Sequence, residues 1–226
     1  MRRARIPLMS TCRGTMKTFL LMSLLAFSIT SFAQTEQKRV LRDPSGETVF
    51  WMFYHLAKIQ PDLAPIIKQR MLGESGVNEF NRTEKEKVHE ERLKTEFAAA
   101  AHYTHIELNL GSYVSAYDAA YHEFYFNGLG PGSYISFTGY GKQFKISLIN
   151  AEEASVWSVP PDKAETIAGL MGPSRQVSLR LYLKILGATP DSSGGEIEAK
   201  IMNFKIYAMQ YNRFAGRKVG EIVLVE

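Results

Sequence analysis

Hydrophobic and polar residues follow two different periods along this chain, and the change between them lies near residue 102. Before that point apolar residues recur every three or four positions, which is the period of an amphipathic helix. After it they recur at every second position, as in strands that bury one face and expose the other. The clearest alternating segments are residues 106–110, 144–148, 177–185 and 197–208.

The first half of the chain predicts a polar tail followed by helices. Residues 34–42 are mostly polar and are expected to form a loose tail. Asp43 and Pro44 then have the residue types of a helix cap and a first helical position, and Pro61 ends that helix. A second, short amphipathic helix is expected to end near Gly73.

A third predicted helix spans about residues 82–97 and is highly charged. Asn81 and Glu84 have the spacing of a capping box at its start. Its apolar stripe is thin and consists of Val88, Leu93 and Phe97. We interpret this segment as a solvated helix at the edge of the domain; the alternative is a helix that binds in a groove of a partner.

The second half of the chain predicts strands, turns and one inserted helix. The alternation changes phase near Met202-Asn203, which predicts one extra residue there, a β-bulge. Residues 138–142 and 189–195 have the composition of hairpin connections. A helix is expected from about Asp162, after two prolines, and Gly172-Pro173 should end it.

These elements together predict the α+β class. We expect an N-terminal helical segment followed by an antiparallel β-sandwich or strongly curved sheet of about six to eight strands, with one inserted helix. The predicted division is a leader at 1–33, a polar tail with helices at 34–101, and an antiparallel β domain at 102–226.

The leader has the pattern of a cleaved signal peptide, of the kind found in Gram-negative bacteria. Met16-Lys17 gives a charged start, an apolar run follows, and Ser31-Phe32-Ala33 places small residues at the cleavage positions. We expect cleavage between Ala33 and Gln34, and a periplasmic or secreted product. Met16 is an alternative translation start, and Arg2-Arg3 lacks the usual continuation of a twin-arginine signal.

Removal of the leader changes the charge of the chain. The whole chain has 27 Lys and Arg residues and 23 acidic residues, and the first 33 residues hold five of the basic ones and no acid. The remaining chain therefore has 22 basic and 23 acidic residues, a net charge of −1. Global charge gives no support to nucleic-acid binding, which needs a basic surplus.

The only cysteine, Cys12, lies in the leader, so the processed chain would lack disulfides, thiolate metal sites and a cysteine nucleophile. It would also lack a lipid-carrying cysteine after the signal. No later segment reaches the roughly 20 apolar residues of a membrane-spanning helix. We expect a soluble product without a transmembrane segment.

Three motifs resemble active-site sequences only in part. Residues 128–132 are glycine-rich but lack the lysine of a phosphate-binding loop, and Ser75 lacks the spacing of a nucleophile elbow. At the end of a helix His102 and His105 would share a face near His122, but the alternation favours a strand, in which they point to opposite faces and cannot both ligate one metal ion. We therefore predict no catalytic residue, metal or cofactor.

Two surfaces are candidates for binding a ligand or a partner. Tyr113, Tyr117 and Tyr121 recur every fourth residue, and exposed tyrosines can stack on a sugar ring or a protein; the alternative is that they fill the core. The second candidate is a basic turn of Arg213, Arg217 and Lys218, in a stretch without acidic residues. It could bind an anionic headgroup or an acidic partner, or be an ordinary solvated turn.

The sequence thus favours a non-enzymatic envelope protein that binds an unknown protein or envelope component. The alternative is a hydrolase of an envelope polymer, for which Asp118 and Glu123 are the candidate carboxylate pair. A secreted protein that acts on another cell is a third possibility.

Overall fold

The computed structural model describes residues 39–209 and 216–224. In these residues the chain is a mixed α+β protein with five helices and nine strands. The strands are β1 (Val40–Arg42), β2 (His105–Tyr113), β3 (Glu123–Tyr125), β4 (Tyr134–Gly139), β5 (Lys142–Leu148), β6 (Val156–Ser158), β7 (Gln176–Pro190), β8 (Gly194–Ala208) and β9 (Lys218–Val223). The helices are α1 (Gly46–Leu56), α2 (Ala64–Leu72), α3 (Arg82–Ala100), α4 (Ala151–Ala154) and α5 (Pro161–Met171).

Seven strands form one large sheet in the order β1-β2-β7-β8-β5-β4, and β9 pairs with the second half of β8. The 15-residue strands β7 and β8 form a long central hairpin. Most neighbours are antiparallel, but β1–β2 and β5–β8 are parallel. The predicted α+β class, the mostly antiparallel sheet and the inserted helix α5 are confirmed, and α4 is an additional short helix.

One face of the large sheet carries the hydrophobic core. Phe53 of α1 packs against Phe144 of β5 with ring centroids 5.0 Å apart. At the other end, β3 and β6 form a separate two-stranded sheet. Next to it Phe126 stacks on Trp157 and packs edge-on against Phe204 of β8. The core is therefore one layer of sheet covered by α1 at one end and by the small sheet at the other.

The predicted irregularities of the sheet are confirmed. Tyr182 pairs with Asn203 and Leu183 with Ile201, so Met202 is the extra residue of a bulge. The β4–β5 hairpin turns at Tyr140 and Gly141, whose φ angles are +49° and +76°. Two consecutive positive φ angles are typical of a type I′ turn, whose twist matches that of the flanking strands.

The start of the fold differs from the prediction. Residues 40–42 form β1 beside β2 instead of a loose tail, because Leu41 is buried in the core. The cap of α1 is Ser45, whose Oγ accepts from the Thr48 amide, and not Asp43. Asp43 instead accepts a hydrogen bond from the Asn109 side chain at 3.0 Å.

Helix α3 begins where the sequence predicted, but not through a capping box. The Asn81 side chain accepts from the Asn78 amide and donates to the Gly76 carbonyl, so it stabilises the preceding turn. Val88 was predicted to lie in the apolar stripe but is 64% exposed, whereas Leu93 is fully buried. In the described part of the chain, no helix is both long and apolar enough to cross a membrane.

The predicted leader, its cleavage point at Ala33-Gln34 and the alternative start Met16 all lie outside the described residues.

Candidate functional site

The three predicted tyrosines lie near one end of the large sheet but are not equivalent. Tyr113 ends β2 and is 52% exposed, and Gln176 donates to its hydroxyl at 2.6 Å. Tyr121 is 74% exposed in the following loop. Tyr117 is half-buried, because its hydroxyl donates to the Val159 carbonyl at 2.8 Å and its ring packs on Phe124. Tyr117 therefore holds the loop in place, and the other two tyrosines face water.

Two residues of the predicted basic turn can be placed. Arg213 lies outside the described residues, and Arg217 and Lys218 are exposed at the start of β9. Lys218 is 2.5 Å from a Glu221 carboxylate oxygen. Because Tyr113 pairs with Gln176, and Met209 donates to the Gln176 carbonyl, β9 starts at the same sheet end as the tyrosines. Three strand spacings separate β2 from β9, about 14 Å.

The candidate carboxylate pair stabilises a turn. Asp118 and Glu123 form an isolated bridge, and the Asp118 carboxylate accepts from the amides of Ala120 and Tyr121. The Tyr125 hydroxyl donates to Glu123, and this bond raises the pKa of Tyr125 to about 12. Both carboxylates are half-exposed and engaged in local contacts that stabilise the turn.

Of the three histidines considered as metal ligands, His102 lies in the turn after α3 and His122 in the loop before β3. His105 starts β2 and is buried, and its ring stacks on Tyr182 with centroids 5.0 Å apart. Among the described residues, no group of three His, Cys, Asp or Glu side chains is placed to hold a metal ion.

A large cleft lies elsewhere in the described residues, where helices α1, α2 and α3 meet the β4–β5 turn. This cleft has a volume of about 880 Å³. Its walls are rich in charged side chains and were not predicted as a site. They are formed by Glu47, Gln69, Arg70, Gly73, Glu74, Lys85, Val88, His89, Arg92, Tyr140 and Gly141.

Arg70 of α2 is the centre of one hydrogen-bond network in the cleft. Its two terminal nitrogens donate to the Glu96 carboxylate of α3 at 3.2 and 2.9 Å. One of them also donates to the Tyr140 hydroxyl at 2.6 Å, which in turn donates to Glu47 of α1 at 3.1 Å. The network therefore joins three helices to the hairpin turn, and it fixes the direction of each charged group.

The electrostatics of this network keep its charges in place. Burial raises the pKa of Glu96, but hydrogen bonds and charge from Arg70 and Arg92 outweigh burial, so the net change is downward. Burial lowers the pKa of Arg70, and the bond to Glu96 reverses that effect. Burial, opposed by Arg70 and reinforced by Glu47, raises the pKa of Tyr140 to about 12. At neutral pH the site therefore holds an ionised Arg70–Glu96 pair and a protonated Tyr140.

Glu74 organises the other wall of the cleft. It accepts from Lys85 Nζ at 2.8 Å and contacts His89 Nε2 at 2.6 Å. The hydrogen bonds from Lys85 and then from His89 lower the pKa of Glu74. The second ring nitrogen, His89 Nδ1, is buried and has no hydrogen-bond partner among the described residues.

The cleft is lined mainly by charged and polar side chains. Its walls contain no serine, threonine or cysteine, and the raised pKa of Tyr140 keeps that hydroxyl protonated. A histidine base must reach the proton that it removes. In His89 one ring nitrogen is occupied by Glu74 and the other is buried without accessible surface.

Part of this site has a signal in the sequence. Lys85, His89, Arg92 and Glu96 are spaced by four, three and four residues, so they lie on one face of a helix. The charge of this helix predicted a solvated face. No local sequence pattern connects this helix face with Arg70 or Tyr140. Arg70 lies 26 residues before its partner Glu96, and Tyr140 lies 70 residues after Arg70.

Comparison of the chain with protein-family models, with curated proteins and with solved structures found no match in any of the three.

Proposed function

We propose that this protein is exported by a Gram-negative bacterium and acts in the periplasm or outside the cell as a non-enzymatic binding module. The support for export is the Met16–Ala33 segment, with its charged start, apolar run and small residues at the cleavage positions. The support for binding is the cleft between the helices and the β4–β5 turn.

The single observation that carries the binding proposal is the cleft's combination of volume and fixed charge. Its volume, about 880 Å³, lies in the range of small-molecule sites. Arg70, Lys85 and Arg92 supply positive charge, and Glu47 and Glu74 supply negative charge. We infer that the ligand is a small polar molecule carrying both acidic and basic groups.

The hydrogen bonds within the cleft favour such a ligand energetically. Side chains that are already held in position lose less conformational freedom when a ligand binds. Arg70 is held by Glu96 and Tyr140, and Glu74 is held by Lys85 and His89. The same hydrogen bonds disfavour a hydrolase, because the carboxylates of Glu47 and Glu74 and the His89 ring already have hydrogen-bond partners.

A protein partner is a second proposal, and the end of the sheet near Tyr113 supports it. Tyr113 and Tyr121 are exposed there, and the register brings Lys218 to the same end. Tyrosine and arginine are enriched at protein interfaces, and the exposed Arg217 lies directly before Lys218. The small β3–β6 sheet lies at this end too. Phe126, which directly follows β3, packs against Phe204 of β8, and this contact supports a partial β-sandwich.

Native mass spectrometry of the exported protein tests the cleft. We expect the wild type to carry a small adduct and Val88→Trp to lose it, because Val88 lies on the cleft wall and is 64% exposed, so an indole there fills the cleft without disturbing the core. Lys87→Trp is the matched control, since Lys87 is exposed on the same helix and does not line the cleft. A Val88→Trp protein with wild-type adduct occupancy would contradict the proposal.

The same spectrum tests export. We expect a mass that begins at Gln34, because signal peptidase cuts after the small residue Ala33. A cytoplasmic protein whose mass begins at Met1 or Met16 would rule out processing at this site.

A further inference from the structure

The face of the large sheet opposite the core carries a second, unrelated cavity. It is a groove of about 370 Å³. Six side chains from four neighbouring strands line it: Arg42, Glu107, Arg180, Tyr182, Asn203 and Lys205. Three of the six are cations and one is an acid, so the groove has a formal charge of +2 in a processed chain of net charge −1.

The strand register explains how these residues meet. Arg42 pairs with Glu107, Glu107 with Tyr182, and Tyr182 with Asn203, which makes one row across β1, β2, β7 and β8. Arg180 and Lys205 form the next row on the same face, two residues along their strands. Side chains at such positions all project from one face of a sheet.

Arg180 and Lys205 are directly opposite each other on β7 and β8. Like charges in a directly opposed pair destabilise a sheet. The Arg180–Lys205 pair therefore adds positive potential to this face of the sheet.

The acids nearby neutralise this charge only in part. Glu107 lies between two guanidinium groups, 3.7 Å from Arg42 Nε and 3.7 Å from Arg180 Nε, so both separations exceed hydrogen-bond length. Glu221 faces Lys205 from β9, but its carboxylate is 2.5 Å from Lys218 Nζ. Arg180 is also held in place, since its guanidinium lies 5.6 Å from the Tyr207 ring centroid.

The remaining two side chains provide neutral donors. Burial, together with the charge of Glu107, raises the pKa of Tyr182, so its hydroxyl keeps its proton. Asn203 contributes a side-chain amide at the other wall. Guanidinium groups combined with neutral donors are typical of sites that bind phosphate oxygens.

We propose that this groove binds a phosphate group of a ligand, through Arg42, Arg180 and Lys205 with Tyr182 and Asn203 as additional donors. The site is separate from the helix cleft, and it does not depend on the function proposed for that cleft. A soluble phosphorylated molecule and a phospholipid headgroup would offer the same chemistry.

Calorimetric titration with inorganic pyrophosphate tests the site. We expect the double variant Arg180→Gln/Lys205→Gln to bind about tenfold or more weakly than the wild type, because it loses two cationic contacts. The matched control is Lys87→Gln/Lys94→Gln, which removes the same charge from exposed positions of α3 and should bind like the wild type. The groove variant should be at least as stable as the wild type, since it removes an opposed like-charge pair.

A second arm distinguishes the two sources of phosphate. Sedimentation with vesicles of equimolar phosphatidylcholine and phosphatidic acid, against phosphatidylcholine alone, measures headgroup binding. Binding to pyrophosphate without vesicle binding supports a soluble ligand, and binding to both supports a headgroup. Wild-type protein that binds neither probe would overturn the proposal, as would an equal loss of affinity in the groove variant and the control.

Discussion

Replacement of Gly139 by alanine is expected to destabilise the protein by about 3 kcal/mol or more, a large value for one added methyl group. A Cβ at this position would lie 2.3 Å from the Gly46 carbonyl oxygen and 2.7 Å from its carbon. The contact is reciprocal, because a Cβ on Gly46 would lie 1.9 Å from the Thr138 carbonyl oxygen. In both cases the added Cβ would clash with backbone atoms, so the clash cannot be relieved by moving a flexible side chain.

The same change should also disturb the cleft. Gly139 ends β4 directly before Tyr140, the turn residue that bonds Arg70 and Glu47. Separating the start of α1 from the end of β4 moves Glu47 away from Tyr140. We therefore expect loss of the cleft ligand in any Gly139→Ala protein that still folds.

Thermal and urea unfolding measure the effect, and Gly111→Ala in β2 is the matched control. A Cβ at Gly111 would meet nothing within 4 Å, so its substitution should change stability by less than about 0.5 kcal/mol. For a domain of this size, 3 kcal/mol corresponds to a fall in Tm of roughly 6–12 °C. Equal stabilities of the two variants would show that α1 and β4 do not approach each other this closely.

The large sheet shows which features the local hydrophobic pattern can predict and which it cannot. The alternation predicted the long strands, and its phase change located the bulge at Met202, because side-chain direction in a strand depends only on position. The parallel pairing of β5 with β8 could not be predicted in this way. This pairing depends on which distant strand is complementary to β5, and no residue within β5 indicates which strand that is.

The cleft was missed for a related reason. Its walls come from α1, α2, α3 and the β4–β5 turn, and only the α3 residues share a visible spacing. Arg70 on a short amphipathic helix and Tyr140 in a hairpin turn each look ordinary alone. Their function as a network depends on packing between elements, and a charged helix face has the same sequence pattern whether it borders water or a cleft.

Arg70→Met is the second variant expected to have a large effect, a loss of about 2–4 kcal/mol at pH 7. The Arg70 side chain is 20% exposed and that of Glu96 is 28% exposed. Removing Arg70 leaves a mostly buried carboxylate without its main partner and removes a donor to Tyr140. Arg92 still donates to Glu96 at 3.1 Å, which keeps the loss below that of a fully isolated charge.

Arg82→Met is the matched control for this variant. Arg82 pairs with Glu86 one helical turn away at 3.0 Å, but the two side chains are 64% and 42% exposed. Exposed pairs of this kind contribute about 0.3–0.5 kcal/mol. The double variant Arg70→Met/Glu96→Met should recover much of the loss, because replacing both partners of a buried pair by apolar side chains removes the uncompensated charge.

The pH dependence separates a charge effect from a packing effect. In the wild type the folded-state pKa of Glu96 is below its ordinary value of 4.5, so the ionised group stabilises the fold above that pH. That contribution is lost as the pH falls through the lower, folded-state pKa. Without Arg70, two of the interactions that lower the pKa of Glu96 are lost, so Glu96 of the variant takes up a proton at a higher pH than in the wild type. Urea unfolding should therefore show the gap between Arg70→Met and wild type narrowing from pH 7 to pH 4, whereas a gap independent of pH would mean that Arg70 acts through packing alone.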